Sequence, residues 1–429
     1  MPLFDFTLND FAKDTLLKLL QEPLSSTVDI EIRQSIIKGF IGNLETFKDY
    51  SYSRIDYYEV HRFLFDTSIH TFERGSKLKQ LFSEKKWHQT KARFIQFVVL
   101  FRRLHVFYIR RINTNIFPEE YKHDLLKLND FLTSFNFDFY DELIREDKFK
   151  TKHISKLAKV ISEKQVTGEV STFYKRIFNF EAYLSISKGV DKNKFCFPAF
   201  SDNYISLEHL YHPLLKDPVK NSFTSRNNVI LLTGPNMSGK STFLKSVGLC
   251  VYLAHVGIGV PASKAEVPFF DHLSISINHN DDILSGYSHF MTELMRLKHV
   301  LVEANTNKKC FAVFDELFKG TNIEDAVQIS TTTIKGLMNF ENSFFFISTH
   351  LHQLKEIEQV KTKQVETYYV DCDIKNENPV FNYQVKEGWS DLKVGQMLFE
   401  KEGLNELLQL KSATGYAYNM GISAIAADE

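Results

Sequence analysis

The chain has 429 residues, of which 43% are hydrophobic and 24% charged, and its formal net charge is −1. This composition excludes an intrinsically disordered chain and is typical of a globular protein. The length predicts two domains, each long enough to bury a core. The net charge alone neither favours nor excludes a nucleic-acid partner.

The N-terminus and the apolar segments give no sign of export or membrane insertion. The first five residues lack a basic region followed by an apolar stretch, so no secretory signal is expected. The most apolar early segment, Phe94 to Ile109, contains Arg102 and Arg103 and is too short to span a bilayer. Four cysteines without metal-ligand spacing are expected to be buried thiols. We therefore expect a cytoplasmic protein with no membrane segment.

Residues 1–200 show helical periodicity, few glycines and many large apolar side chains, which predicts an α-helical domain. They also carry 32 Lys and Arg against 26 Asp and Glu, a charge of +6, whereas the remainder carries −7. The excess is concentrated between Arg74 and Arg111, where 11 basic residues face a single acidic one, Glu84.

On a helix through this basic stretch, Arg103 and Arg110 point away from an apolar stripe. Their face is expected to be either a solvated or interdomain surface, or a contact for the phosphate backbone of DNA. The stripe is predicted to be core rather than a base-stacking platform because its spacing is helical. It consists of Phe94, Phe97, Val98, Phe101, Leu104 and Tyr108, with Trp87 also predicted to be core. Further on, Pro118 between Phe117 and Glu119 predicts a helix start.

An apolar run at 229–233 leads into a glycine-rich loop and the predicted start of a helix. The loop matches the pattern G-x-x-x-x-G-K-[ST] and consists of Gly234, Pro235, Asn236, Met237, Ser238, Gly239, Lys240 and Ser241, followed by Thr242. Backbone N–H groups of such a loop surround phosphates, Lys240 adds a positive charge, and the Ser241 hydroxyl can bind Mg²⁺. The sequence therefore predicts a site for ATP or GTP with Mg²⁺.

Two further apolar runs end in polar residues suited to nucleotide hydrolysis. Residues 310–314 end in Asp315 and Glu316. Asp315 is predicted to hold Mg²⁺ through water, and Glu316 to orient or deprotonate the attacking water. Residues 344–348 end in Thr349 and His350. His350 is predicted to contact the γ-phosphate and report its presence.

Between the phosphate loop and the acidic pair lies Asp281-Asp282-Ile283-Leu284-Ser285-Gly286-Tyr287-Ser288-His289-Phe290-Met291-Thr292-Glu293. This segment resembles the signature of the MutS family. Asn236-Met237 and residues 260–262, 315–321 and 348–350 match the family as well, so the resemblance covers most of residues 200–400. Tyr287 and Lys319 depart from the pattern, since the family usually or often has arginine there.

The resemblance implies a fold of the α + α/β class. Residues 1–200 would be a helical domain like the family's lever and core, and residues 201–429 an ABC-type P-loop ATPase domain with a helical C-terminal dimerisation element at 388–403. It also implies that the nucleotide is ATP, that an adenine-facing side chain lies near Val219, and that the protein is a homodimer. In that dimer, the signature loop of one subunit would approach the γ-phosphate held by the other, through Ser285, Gly286 and Ser288.

Two functions of different classes remain open. The first is a dimeric, ATP-hydrolysing, DNA-binding protein of DNA repair or recombination, related to mismatch repair but short and without a mismatch-reading domain or wedge of its own. The second is a nucleotide-gated protein-interaction module in which DNA plays no part. The basic stretch 74–111 favours the first function.

Overall fold

The computed structural model describes residues 2–77, 84–277, 289–318, 320–375, 378–390, 392 and 394–410. Its helices, in chain order, are α1 (Asp10–Gln21), α2 (Thr27–Ile41), α3 (Arg54–Leu64), α4 (Glu84–Phe107), α5 (Glu119–Thr133), α6 (Phe137–Arg145), α7 (Thr151–Val166), α8 (Glu169–Lys192), α9 (Lys240–Val256), α10 (His289–Asn305), α11 (Ile323–Leu337), α12 (Glu358–Lys361), α13 (Val394–Lys401) and α14 (Leu404–Leu410). Its strands are β1 (Ala199–Ser201), β2 (Ile205–Leu210), β3 (Asn221–Ser225), β4 (Val229–Thr233), β5 (Lys264–Pro268), β6 (His272–Ser276), β7 (Cys310–Phe314), β8 (Phe344–Ser348), β9 (Glu366–Lys375) and β10 (Asn378–Glu387). Short 3₁₀ helices cover Leu44–Phe47, Thr67–Lys77, Ile109–Arg111, Thr114–Ile116 and His352–Glu356.

The chain divides into two compact units. The first comprises Met1–Glu208 and Leu249–Phe269, and the second comprises His209–Gly248 and Phe270–Glu429. The predicted order, a helical region followed by an α/β region, is confirmed. The placing of a domain boundary at residue 200 stays a prediction.

Helix α8 is the central helix of the first unit and contacts α1, α2, α5 and α7. Its second half is buried on all sides, since every residue from Phe180 to Ser187 is buried. A helical segment buried on every side carries no single apolar stripe. This part of the central helix therefore lacks the helical periodicity from which the bundle was predicted.

The apolar stripe predicted on the basic stretch is buried, as expected. It lies on α4, where Phe94, Phe97 and Phe101 are fully buried, and Trp87 is buried in the same helix. The core prediction for these aromatic residues is confirmed. The helix start expected at Pro118 is also confirmed, because Pro118 is the N-cap of α5.

The extended N-terminal segment ahead of α1 is held to α8 by Glu181, which is 2% exposed. One Glu181 carboxylate oxygen accepts the backbone N–H of Leu8, and the other accepts the Tyr52 hydroxyl at 2.6 Å. Burial raises the pKa of Glu181 above its ordinary value, although these hydrogen bonds act in the opposite direction. This titratable group is thus a structural part of the helical core.

Arg33 of α2 joins two helix ends within the first unit. Its guanidinium donates to the carbonyl of Val256 at 2.7 Å and to that of Leu19 at 3.2 Å. Both carbonyls belong to the last turn of a helix, where backbone acceptors lack an intrahelical partner and the helix dipole is negative. A cation at this position therefore stabilises the ends of α1 and α9 together. Gly257, with φ of +79°, terminates α9.

The second unit contains a six-stranded sheet in the order β10-β9-β4-β8-β7-β6. Strands β9, β4, β8, β7 and β6 run parallel to one another, and β10 pairs antiparallel with β9 at the edge of the sheet. Every residue of β4, β7 and β8 is buried. Parallel strands covered on both faces are uniformly apolar rather than alternating, which explains the three apolar runs in the sequence. Helices α10 and α11 contribute Leu297, Val300, Ile334 and Leu337 to the adjoining core.

Among the described residues, no helix is long and apolar enough to cross a membrane.

All four cysteines are free thiols, but only Cys250 and Cys310 are buried. Cys196 and Cys372 are partly exposed, so the prediction of four buried thiols is wrong for these two.

Candidate functional site

The sheet of the second unit brings three predicted motifs to one edge. Strands β4, β8 and β7 are neighbours and run parallel. The phosphate loop follows β4, Asp315 follows β7, and Thr349 follows β8. The carboxyl ends of parallel strands lie at the same sheet edge, so these segments converge there. They do so although 116 positions separate residues 234 and 350.

The backbone of the phosphate loop needs glycine at two places. Gly234 and Gly239 have φ of +135° and +100°, conformations that side chains disfavour. A Cβ on Gly239 would lie 3.1 Å from the Tyr383 ring, and one on Gly234 would lie 3.1 Å from Ser238 Oγ. The loop therefore has the open, glycine-dependent backbone that phosphate cradles require.

Lys240 is the first residue of α9 and is 5% exposed. Its ammonium donates to the carbonyls of Gly234 at 3.0 Å and of Pro235 at 3.1 Å. The cation is thus held across the loop, at the positive end of a 17-residue helix. The Ser238 hydroxyl is buried without a hydrogen-bond partner among the described residues. The donors gathered here fit an anionic ligand.

Asp315 and Glu316 lie directly after β7. They contact Ser348, the last residue of β8, and His350, which follows that strand. Asp315 Oδ1 accepts the Ser348 hydroxyl at 2.6 Å, and the Glu316 N–H donates to Ser348 Oγ at 2.7 Å. Glu316 has a left-handed backbone, with φ of +57°. Its carboxylate oxygen Oε1 is 2.6 Å from His350 Nε2. The predicted base and the predicted phosphate sensor are therefore hydrogen-bonded to each other.

A cavity of about 530 Å³ adjoins the loop and lies wholly within the second unit. This volume is within the usual range of small-molecule sites. From the predicted phosphate and metal groups, its lining includes Asn236, Met237, Gly239, Lys240, Ser241, Thr242 and Glu316. On the remaining wall it includes Tyr211, His212, Pro218, Val219, Asn221, Val370 and Tyr383. The expected adenine-facing position, Val219, is thus part of the cavity wall.

Tyr383 is a lining residue that the sequence did not reveal. It lies in β10 where the register with β9 shifts between Phe381 and Val385, and its φ is +54°. The Asn221 side chain holds this irregular strand, because Nδ2 donates to the Tyr383 carbonyl at 3.0 Å and Oδ1 accepts the Val385 N–H at 2.8 Å. Tyr383 is 47% exposed and contacts the cavity beside Gly239. No local pattern marks it, since the bulge depends on Asn221, 162 positions earlier.

His212 supplies a second polar group to this wall. Burial, and then the nearby Lys245 ammonium, lower the pKa of His212, so the neutral imidazole is favoured at neutral pH. Its Nδ1 is buried and makes no hydrogen bond within the described part of the chain. A neutral ring beside Val219 and Tyr383 suits a planar, uncharged group such as a nucleobase.

Most of the predicted signature loop lies outside the described residues, including Ser285, Gly286, Tyr287 and Ser288; Lys319 does as well. The last residues of the signature segment are described, and they pack against the loop that follows β7. Glu293 Oε2 accepts the Phe318 N–H at 2.8 Å, and a Cβ on Gly320 would lie 3.0 Å from Phe290. The end of the signature segment therefore supports the loop after β7 in the same chain.

The DNA-contact candidates are exposed, but the charge around them is lower than the sequence implied. Arg103 lies on α4 and donates to the Ser51 hydroxyl at 3.0 Å, and Arg110 lies in the 3₁₀ helix that follows. Acids from other elements pair with other members of the basic stretch. These ion pairs are Arg102 with Asp138 and Asp141, Lys91 with Asp147, and Arg93 with Asp66.

Comparison with known proteins agrees with the geometry. Residues 230–413 match the family model described as MutS domain V. The DNA mismatch repair protein MutS of Fusobacterium nucleatum is 28% identical over 302 residues, which are 67% of this chain and 33% of that protein. MutS of Bacillus velezensis is 30% identical over 240 residues, 54% of this chain and 28% of the relative. MutS of Listeria welshimeri is 27% identical over 401 residues, 89% of this chain and 44% of the relative.

The chain spans between 28% and 44% of the length of these three relatives. The matched family region begins within β4 and contains the phosphate loop, the acidic pair and His350. It also contains the hairpin that carries Tyr383. The sequence match and the arrangement at the sheet edge lead to the same assignment: residues 230–413 form an ATPase domain of the MutS domain V family.

Proposed function

We propose that this chain binds ATP with Mg²⁺ and hydrolyses the γ-phosphate. The observation that carries the proposal is the convergence of Lys240, Glu316 and His350 at one sheet edge, with Lys240 and Glu316 on the wall of a single cavity. Val219, His212 and Tyr383 are proposed to face the adenine. The phosphates would then lie at the N-terminus of α9.

The residues present fit Mg²⁺. Ser241 offers a hydroxyl and Asp315 a carboxylate, and oxygen ligands of this kind suit a hard cation that shares its remaining positions with phosphate and water. The ion, when bound, neutralises charge on the phosphate oxygens. Among the described residues no cluster of three or more His, Cys, Asp or Glu could hold a metal ion.

Glu316 is proposed to orient and deprotonate the attacking water. The hydrogen bond that His350 Nε2 donates at 2.6 Å restricts the carboxylate to one orientation. His350 is proposed to contact the γ-phosphate with the same ring. This arrangement couples the presence of the γ-phosphate to the orientation of the base.

The test separates binding from hydrolysis. Lys240→Ala should abolish ATP binding, whereas Glu316→Gln should bind ATP normally and hydrolyse it roughly 10²–10⁴-fold more slowly. Lys335→Ala and Glu324→Gln, on the exposed face of α11 in the same unit, are matched controls and should behave as wild type. Wild-type turnover by Glu316→Gln would refute its role as base.

We further propose a homodimer with composite sites, in which Ser285, Gly286 and Ser288 act on the nucleotide of the partner. The support is the family resemblance of this loop. The heterodimer formed by mixing Lys240→Ala subunits with Ser288→Arg subunits should then have one working site and about half of the activity of a wild-type dimer, if the sites act independently. Wild-type ATPase activity from Ser288→Arg alone would remove the role in trans.

DNA is the proposed partner of the helical unit, in a repair or recombination process. The exposed Arg103 and Arg110 support it, and the named MutS relatives are DNA mismatch repair proteins. The second candidate, a nucleotide-gated protein-interaction module, is favoured by the ion pairs that neutralise Lys91, Arg93 and Arg102. Binding to duplex, mismatch, junction and single-stranded probes at several salt concentrations distinguishes them. No binding at low salt would favour the second function.

A further inference from the structure

Ser348, the last residue of β8, joins the two acidic residues of the site. It is fully buried, and the register of β7 and β8, with Phe314 opposite Ile347, places it beside Asp315. The backbone N–H of Glu316 can only donate, so Ser348 Oγ accepts it at 2.7 Å. The single hydroxyl proton is then left for Asp315 Oδ1, at 2.6 Å.

Both hydrogen bonds constrain groups that hydrolysis uses. The bond to Asp315 fixes one carboxylate oxygen and leaves the other for the water shell of a metal ion. The bond to the Glu316 amide secures a left-handed backbone, with φ of +57°, that a non-glycine residue adopts only when its surroundings hold it there. This backbone turn aims the Glu316 carboxylate at the cavity and at His350.

We propose that Ser348 is a positioning residue for ATP hydrolysis, whose hydroxyl orients Asp315 for Mg²⁺ and the Glu316 backbone for water activation. The inference rests on the proposed ATPase function and adds a residue to it. Ser348 touches neither nucleotide nor metal in this role; it acts through its two neighbours. Its loss should therefore change turnover and metal dependence more than nucleotide affinity.

The same strand pair offers a matched control. Ser343 immediately precedes β8, is buried, and accepts the backbone N–H of Cys310 at 2.9 Å, at the opposite end of β7. Ser343→Ala thus removes the same kind of hydroxyl–amide hydrogen bond from the same two strands, away from the cavity. Ser348→Ala should lower the thermal unfolding temperature more than Ser343→Ala, because it also loses a hydrogen bond to a carboxylate.

The experiment compares both variants by single-turnover hydrolysis, and by ATP binding across a Mg²⁺ titration with and without EDTA. For Ser348→Ala we expect a roughly tenfold or greater loss of turnover, since a hydrogen bond to a charged group is lost. We also expect a several-fold higher Mg²⁺ requirement for tight binding and unchanged Mg²⁺-free ATP affinity. Ser343→Ala should match wild type in all three measurements. Turnover and Mg²⁺ dependence equal to those of Ser343→Ala would overturn the proposal.

If Ser348→Ala does not fold, Ser348→Cys tests the proposal, because its thiol fills the place of the hydroxyl, although it is somewhat larger, and donates only weakly. It should show an intermediate turnover with wild-type Mg²⁺-free affinity, and full wild-type turnover would count against the proposal. Failure of the proposed ATPase function would give a different result. A wild-type protein that binds ATP but does not hydrolyse it would refute the ATPase activity, and the Mg²⁺ titration would still test Ser348.

Discussion

Replacement of Tyr383 by alanine tests the base side of the proposed nucleotide site. Stacking of one base on an aromatic side chain is worth about 1–3 kcal/mol by alanine substitution. Because Tyr383 is 47% exposed, only part of its ring can cover a base. We therefore expect Tyr383→Ala to lose about 1–2 kcal/mol of ATP binding free energy. At 1.4 kcal/mol per factor of ten, the dissociation constant for ATP should rise about five- to thirtyfold.

The structure gives this prediction its control. Tyr383→Phe keeps the ring and should bind ATP within about twofold of wild type, since the base-stacking surface is unchanged. The two hydrogen bonds from Asn221 run to backbone groups of Tyr383 and Val385, so neither substitution removes them. The left-handed backbone strain is also common to tyrosine, phenylalanine and alanine and should cancel in the comparison.

The assay is competition against a fluorescent ATP analogue, with ATP and inorganic tripolyphosphate as competitors. Tyr383→Ala should weaken ATP alone, because tripolyphosphate has no base. Equal weakening of both competitors would show that the ring acts through its contact with Gly239 and the phosphate loop. ATP affinity within twofold of wild type would refute the assignment of this wall to the base.

Three further predictions concern the helical unit. Reversing the charges of Arg103 and Arg110 should weaken DNA binding equally for all sequences and flatten its dependence on salt. Unchanged binding would show that both arginines belong to a solvated surface rather than to a DNA contact. Burial raises the pKa of Glu181 above 4.5, so its contribution to stability is complete below that pH and falls as pH rises through the folded-state pKa. Urea unfolding should therefore show a flatter pH dependence above pH 4.5 for Glu181→Gln, and an unchanged slope would contradict this. Arg33→Met should lower the free energy of unfolding by about 1–3 kcal/mol in the same assay, since two helix-end carbonyls lose their donor.

Much of the candidate site could be predicted because its signals are local. A phosphate loop needs glycine torsions, a lysine and a hydroxyl within eight consecutive residues, and 234–241 supply them in order. Fully buried parallel strands need uninterrupted apolar runs, and 229–233, 310–314 and 344–348 are such runs. The residues that follow these strands were predictable as well, since they come next along the chain.

The charge of the helical unit shows why counting residues along the chain is insufficient. The stretch from Arg74 to Arg111 contains one acidic residue, yet Arg102 pairs with Asp138, 36 positions later. Lys91 pairs with Asp147 in the same way. Acids that lie on or just beyond other helices become neighbours only when the bundle packs, so the effective charge is a property of the tertiary structure.

The sequence by itself therefore determined the family resemblance and the helical character of residues 1–200. It also predicted the phosphate loop, the acidic pair and His350 as site residues. Each of these signals depends on short-range backbone geometry or on the periodicity of apolar side chains. Only the tertiary structure decided which side chains meet. It placed Ser348 between Asp315 and Glu316, and Tyr383 over the phosphate loop. The physical reason is that strand order and register set distances of a few ångströms between residues that lie tens to more than a hundred positions apart, and no local pattern encodes that order.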